Sequence, residues 1–317
     1  MAKQRADAVQ RYVDMWGMPG LHPTNIELLQ DLKTADTQHF TKNMDVVGTV
    51  SEREAGSRKW EKTHMIGVRT DIWRPDGEQR ERQLRALRKR REAVLRREIK
   101  RSGRLDPKQR DELNARLESD SVMQIAEHEL ESQRLVLKLF KTTGTRVRWC
   151  GTIEQMTTTE VHNSMGSRRS LLSSAVMFPQ SKFVTPVQQN HRTFRLPAIF
   201  TLGYYHQQRM WHLVIRQRWF SLGFDFDLVV DGQRLGMLDG RLLTCGHDST
   251  IKLKEHPLSS CTEFVDLLTL FTATVGYHRR MRRSVKRRVH AAKRGEWHRL
   301  AIDDEELRLR HNGRAAA

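Results

Sequence analysis

The segment Phe264–Val275 constrains this chain more than any other. Its apolar residues, Phe264, Val265, Leu267, Leu268, Leu270, Phe271, Ala273 and Val275, fall on nearly every side of a helical projection. A helix without a polar face has to be surrounded by the rest of the protein. Ser260-Cys261-Thr262-Glu263 in front of it has the capping-box pattern, in which Ser and Glu side chains satisfy first-turn N–H groups. The run is broken by Asp266 and Thr269 and is far shorter than the ~20 apolar residues of a membrane-spanning helix. It therefore predicts a buried core helix.

The residues before it supply a wall. Trp211–Phe220 reads as a strand, and Phe224, Phe226, Leu228 and Val230 alternate on one face. Asp231-Gly232 is a hairpin signal, because a type I′ turn needs positive φ at both central residues. Asp239-Gly240 offers a second, among Leu235, Met237, Leu242 and Leu243, and Thr250–Lys254 a further short strand. A meander of short strands followed by an all-apolar helix predicts strands wrapped around that helix. Upstream, Leu135–Phe140, Arg146–Cys150 and the Thr-rich Thr152–Val161 read as β-type. Gly166–Ser174 and Pro179–Asn190 read as long loops.

Ile215-Arg216-Gln217-Arg218-Trp219-Phe220-Ser221-Leu222-Gly223, then Phe224–Leu228, Asp231-Gly232 and Leu238-Asp239-Gly240-Arg241-Leu242, resembles the LURP-one-related branch of the tubby C-terminal-like superfamily. The phospholipid scramblases look like relatives of the same fold. The resemblance covers residues 205–280 or so, and Phe264–Val275 stands where the family's central helix would follow. It implies an α+β fold: an antiparallel tubby-like β-barrel around a central apolar helix. It also implies a non-enzymatic scaffold, linked in some members to phosphoinositides or phospholipids. It carries no ligand residue to this chain. The first half of such a barrel would have to come from Leu135–Val161 in divergent form.

The remaining segments read as extensions. Residues 1–78 are expected to be mostly irregular and ordered by a partner, apart from a short helix over Thr24–Lys33 with Thr24 and Glu27 as capping box. Residues 79–132 read as a basic helical hairpin: Gln79–Arg101, then Pro107–Glu131 with Asp106 as N-cap. The β domain is placed at 133–277 with its helix at 262–277, and a basic extension at 278–317.

Charge is concentrated in two of these segments. The chain carries a net +18 and has a sequence pI near 10.4. Arg80–Arg101 holds eleven Lys/Arg against three Glu, and His278–Arg299 ten against one. These balances, +8 and +9, account for +17 of the +18. Two basic arms on a neutral body point to an anionic partner. The candidate contacts are Arg85, Arg88, Arg90, Arg91, Arg96 and Arg97 in the first arm. In the second they are Arg279, Arg280, Arg282, Arg283, Lys286, Arg287, Arg288, Lys293 and Arg294, with Trp297 as a base-stacking residue. Continued as a helix, the second arm is expected to carry charge on most faces, which suits insertion among RNA phosphates. Glu81, Glu92 and Glu98 can pair with arginines of the first arm. Trp149 and Trp219, on strands, are expected to pack in the core.

Catalytic and metal chemistry find no motif. Cys150, Cys245 and Cys261 form no CxxC pair, which fits neither a disulfide framework nor a zinc knuckle and suggests a reducing compartment. Cys245-Gly246-His247-Asp248 shares one tight turn, His206 and His212 have no metal-ligand context, and no phosphate-binding or hydrolase signature occurs. No cofactor is expected. Met1–Gln10 lacks the apolar core of a signal peptide, and Asp7 argues against an uncleaved transit peptide. The resulting expectation is a structural RNA-binding subunit of a large ribonucleoprotein, such as an organellar ribosome in the mitochondrial matrix, with other proteins as partners. The alternative is an anionic phospholipid- or phosphoinositide-binding protein at a membrane surface.

Overall fold

The computed structural model describes residues 9–17, 44–53, 57–73, 77–101, 107–118, 134–143, 146–181, 183–192, 197–219, 224–241, 246–295 and residue 306. Its strands are β1 Val9–Met15, β2 Met44–Arg53, β3 Glu61–Arg69, β4 Val136–Thr143, β5 Arg146–Gln155 and β6 Ser173–Met177. They continue with β7 Thr185–Gln189, β8 Ile199–His206, β9 Arg209–Gln217, β10 Phe226–Val230, β11 Gln233–Gly240 and β12 His247–Leu253. All pair antiparallel with their sequence neighbours, and β1 also pairs β12, so the twelve close into one barrel. Closure leaves no strand edge unpaired around the sheet.

Alternation explains the wall. β1 buries Val13 and Met15, β8 buries Phe200, Leu202 and Tyr204, and β10 buries Phe226, Leu228 and Val230. Such period-2 burial turns one pleat face inward. These side chains join one core with helix α5, defined below. β2, β3 and β4 are buried on both faces. Met44, Val46, Met65 and Phe140 form a second apolar cluster, against which Trp16, Val147 and Trp149 pack. Trp149 is thus a packing residue. Trp219 is not: it follows β9 and is 66% exposed, contrary to the expectation of core packing.

Helices interrupt the meander. α1 (Thr70–Trp73), α2 (Gly77–Arg101) and α3 (Pro107–Glu118) lie between the paired strands β3 and β4. α4 (Thr157–Met165) lies between β5 and β6. α5 (Thr262–Val275) and α6 (His278–Lys293) follow β12. Every residue of α5 from Phe264 to Val275 is buried. Phe271 meets Phe200 of β8 edge-on at 5.1 Å and Phe226 of β10 at 5.8 Å, and Phe264 meets Tyr204 at 5.2 Å. Its backbone also packs against β1, β4, β5 and β12. Edge-to-face aromatic pairs add about 0.5–1.5 kcal/mol each beyond burial.

Several expectations need correction. Within residues 1–78, expected to be mostly irregular, β1, β2 and β3 are staves of the barrel, so the β domain does not begin at 133. β1 does alternate, but its buried set includes Arg11 and its partner β12 lies far along the chain, which obscures the signal. The helix expected over Thr24–Lys33 falls outside the described residues. Thr152–Val161 is strand only to Gln155 and then turns into α4, whose Val161 and Glu160 are buried. The supposed loops Gly166–Ser174 and Pro179–Asn190 contain part of β6 and all of β7. Asp239-Gly240 is no turn; the two residues pair with Thr250 and Ser249 inside the β11–β12 ladder. Residues 278–293 are not a tail, since α6 buries one side.

Candidate anion-binding surface

α6 begins one turn after α5 ends. Gly276 keeps right-handed helical geometry, and Tyr277 N–H donates to Thr274 O at 2.8 Å. Strong helix formers fill α6. His278, Met281, Ser284, Val285 and Arg288 are buried, spaced three or four residues apart so that they share one face. Met281 and Val285 belong to the main core. Arg279, Arg280, Arg283, Lys286, Arg287, His290 and Lys293 are exposed, as is Arg294 just beyond. At 100° per residue these exposed positions fit within an arc of about 140°. The helix contains no acidic residue. The charge is therefore one-sided, and the expectation of cations on most faces is corrected: the barrel takes the other side.

Two of the predicted contacts belong to the anchor. Arg288 is buried, and desolvation lowers its guanidinium to about 10, opposed by nearby Glu160. Glu160, buried on α4, is pushed up to about 8 by desolvation. Its carboxylate accepts from Gln155 Nε2 at 2.6 Å and from Ser173 N–H at 3.1 Å. The Glu306 carboxylate accepts from Thr158 N–H at 2.5 Å and Thr159 N–H at 3.2 Å at the start of α4. Arg282 is half-buried, donates from Nη1 to Ser170 O at 3.1 Å, and is lowered first by burial and then by Arg169. Arg169, on the α4–β6 connection, thus adds a cation near α6 that the sequence reading placed in a plain loop.

The first arm is built differently. Along α2, Arg85, Arg88, Arg96 and Arg97 are exposed, with Arg82, Lys89, Lys100 and Arg101 exposed beside them. Leu84, Leu95 and Ile99 are only half-buried, and α3 is the helix packed against it. Arg85 pairs with Glu81 and Arg88 with Glu92, each at 3.1 Å and four residues apart. Exposed pairs of this kind contribute about 0.3–0.5 kcal/mol. The side chains of Arg90 and Arg91, and all of Trp297, lie outside the described residues.

The described part of the Cys-Gly-His-Asp run serves strand pairing. His247 and Asp248 open β12, where Nε2 of His247 meets Ser249 Oγ at 2.9 Å and Asp248 accepts from Tyr12 Oη at 2.8 Å. Cys245 is outside the described residues. Among the described residues, no helix is long and apolar enough to cross a membrane.

Fold and surface together define a class: a closed antiparallel barrel carrying a docked helix with a one-sided basic face. In comparison with family models, curated proteins and solved structures, no match to this chain was found.

Proposed function

We propose that this protein is a non-enzymatic polyanion-binding protein whose ligand is structured RNA, and that it serves as a subunit of a large ribonucleoprotein. The observation that carries the reading is α6: its exposed arc is wholly basic, and its opposite face is fixed to the barrel. Cations held in a row on a rigid support contact phosphates without paying to order a free tail. One-sided presentation suits a helix laid across an RNA surface, with α2 as a second, looser contact. An amphipathic helix that inserts in a bilayer needs its apolar face free. Here Met281 and Val285 are consumed by the core, which favours RNA over lipid.

The tubby-like reading belongs to the same proposal. It is supported by the closed barrel and by an apolar helix, buried from Phe264 to Val275, that follows the last strand, which we take as the barrel's central helix.

Fluorescence anisotropy with a structured RNA over a range of salt tests the function. Binding should weaken steeply with salt, and R279Q/R280Q/R283Q/K286Q/R287Q should lower the log–log slope by about three to four. Salt-independent binding, or an unchanged slope in the variant, would remove the proposal. Flotation with phosphatidylserine or phosphoinositide vesicles in the absence of RNA binding would replace RNA by lipid.

A further inference from the structure

Within the main core, three side chains of metal-ligating chemistry converge from elements remote in sequence. His64 on β3, Cys150 on β5 and Asp266 on α5 each bring one ligand atom, and the three atoms lie within 4.8 Å of one another. His64 and Asp266 are each 3% exposed, and Cys150 is half-buried against the core. We propose that these three residues form a binding site for a zinc-type divalent cation, with one coordination position left to solvent.

The donor set carries the choice of ion. Imidazole nitrogen, thiolate sulfur and one carboxylate suit zinc, whereas calcium and magnesium require oxygen ligands. The surroundings are those of a ligand shell. Thr63 Oγ1 lies 2.8 Å from His64 Nδ1. With Nδ1–H donating to that hydroxyl, Nε2 carries the lone pair. Arg11 Nη1 donates to Asp266 Oδ1 at 2.5 Å and to Thr269 Oγ1 at 3.1 Å, which fixes the carboxylate and leaves Oδ2 for the ion. Arg11 does not cancel the site, because its Nε sits 2.7 Å from Glu52 Oε1. Glu52, Asp266 and a Cys150 thiolate then balance Arg11 plus a dication, and Lys141 remains exposed nearby.

Proton accounting follows. An ordinary cysteine thiol is protonated at neutral pH, and only the thiolate ligates a metal. The ion must break the S–H bond as the metal–sulfur bond forms, and the proton passes to solvent. No spacing motif could reveal this set, since its members stand at positions 64, 150 and 266.

The test is titration of the chelator-stripped full chain with Co²⁺, then Zn²⁺. About one equivalent of Co²⁺ should bind with a thiolate-to-cobalt charge-transfer band, Zn²⁺ should displace it, and about one proton should be released per Zn²⁺ at pH 7. The band should vanish in C150S and H64Q and persist in C261S. T63A keeps all three ligands and should weaken Zn²⁺ binding about tenfold, which preserves the test if a ligand variant fails to fold. Absence of the band in the native chain, its persistence in C150S, its loss in C261S or unaltered Zn²⁺ affinity in T63A would overturn the proposal. None of these outcomes depends on RNA binding.

Discussion

α2 and α6 share a high density of arginine and have opposite situations. Both are arginine-rich helices, yet α2 keeps its described side chains exposed or half-buried, while α6 sinks five residues into the protein. In α2 some of the cations are answered by glutamates on the same helix. In α6 the helix itself has no acidic residue, and two carboxylates near it, Glu160 and Glu306, lie beneath its buried face. The difference teaches that net charge is a poor guide to a binding surface. What matters is whether the cations are held in one direction and left uncompensated.

The comparison breaks most readily in binding. Neutralising Arg279, Arg280, Arg283, Lys286 and Arg287 together should weaken RNA binding about 1000-fold at low salt, roughly 4 kcal/mol. R85Q/R88Q/R96Q/R97Q on α2 should cost less than about tenfold; the reverse order in anisotropy would make α2 the main surface. Stability comes next. Met281→Ala should cost about 2–4 kcal/mol in urea unfolding, whereas Val94→Ala, exposed on α2, should stay within about 0.5 kcal/mol.

Acid should separate the helices further. His278 is buried against Phe200 and Phe271, and desolvation, then Arg282 and His247, holds its pKa well below the ordinary value. The unfolded chain binds a proton there that the folded chain refuses, so this stability is present above pH 6.5 or so and lost as pH falls below it. Hydrogen-exchange protection in α6, taken relative to the intrinsic rate at each pH, should fall from pH 7 to 5 more than in α2, and H278Q should flatten that dependence. The smallest effect sharpens the contrast. Glu92→Gln should reduce α2 stability by about 0.3–0.5 kcal/mol while strengthening RNA binding slightly, because Arg88 is released. Circular dichroism and anisotropy on one sample would show both.

The sequence made some of this legible. Asp231-Gly232 forms its turn with φ of 47° and 82°, as a type I′ hairpin requires. The β8–β9 hairpin has the same positive φ, 50° and 60°, but places Gln207 and Gln208 there, residues that give no such signal. Strand pairing outvotes turn preference at that point. Phe264–Val275 announced burial through composition alone. The one-sidedness of α6 was also legible, in the spacing of Met281 and Val285, but charge counting averages over helical angle and loses it. Arg282 and Arg288 could not be told from their exposed neighbours, because what distinguishes them is α4 and its connection, reached only through the fold. β1 was obscured for a similar reason: its hydrophobic partners come from β12 and α5.

The seam between β1 and β12 sets an order of events during synthesis. Residues 9 and 253 are register partners across this seam, so the first stave emerges long before the last exists to receive it. Until β12 is made the sheet has two raw edges, each able to recruit another chain. α5 comes later still, and the apolar lining waits for it. A chain cut before residue 247 is therefore not a smaller barrel but an open, sticky ribbon.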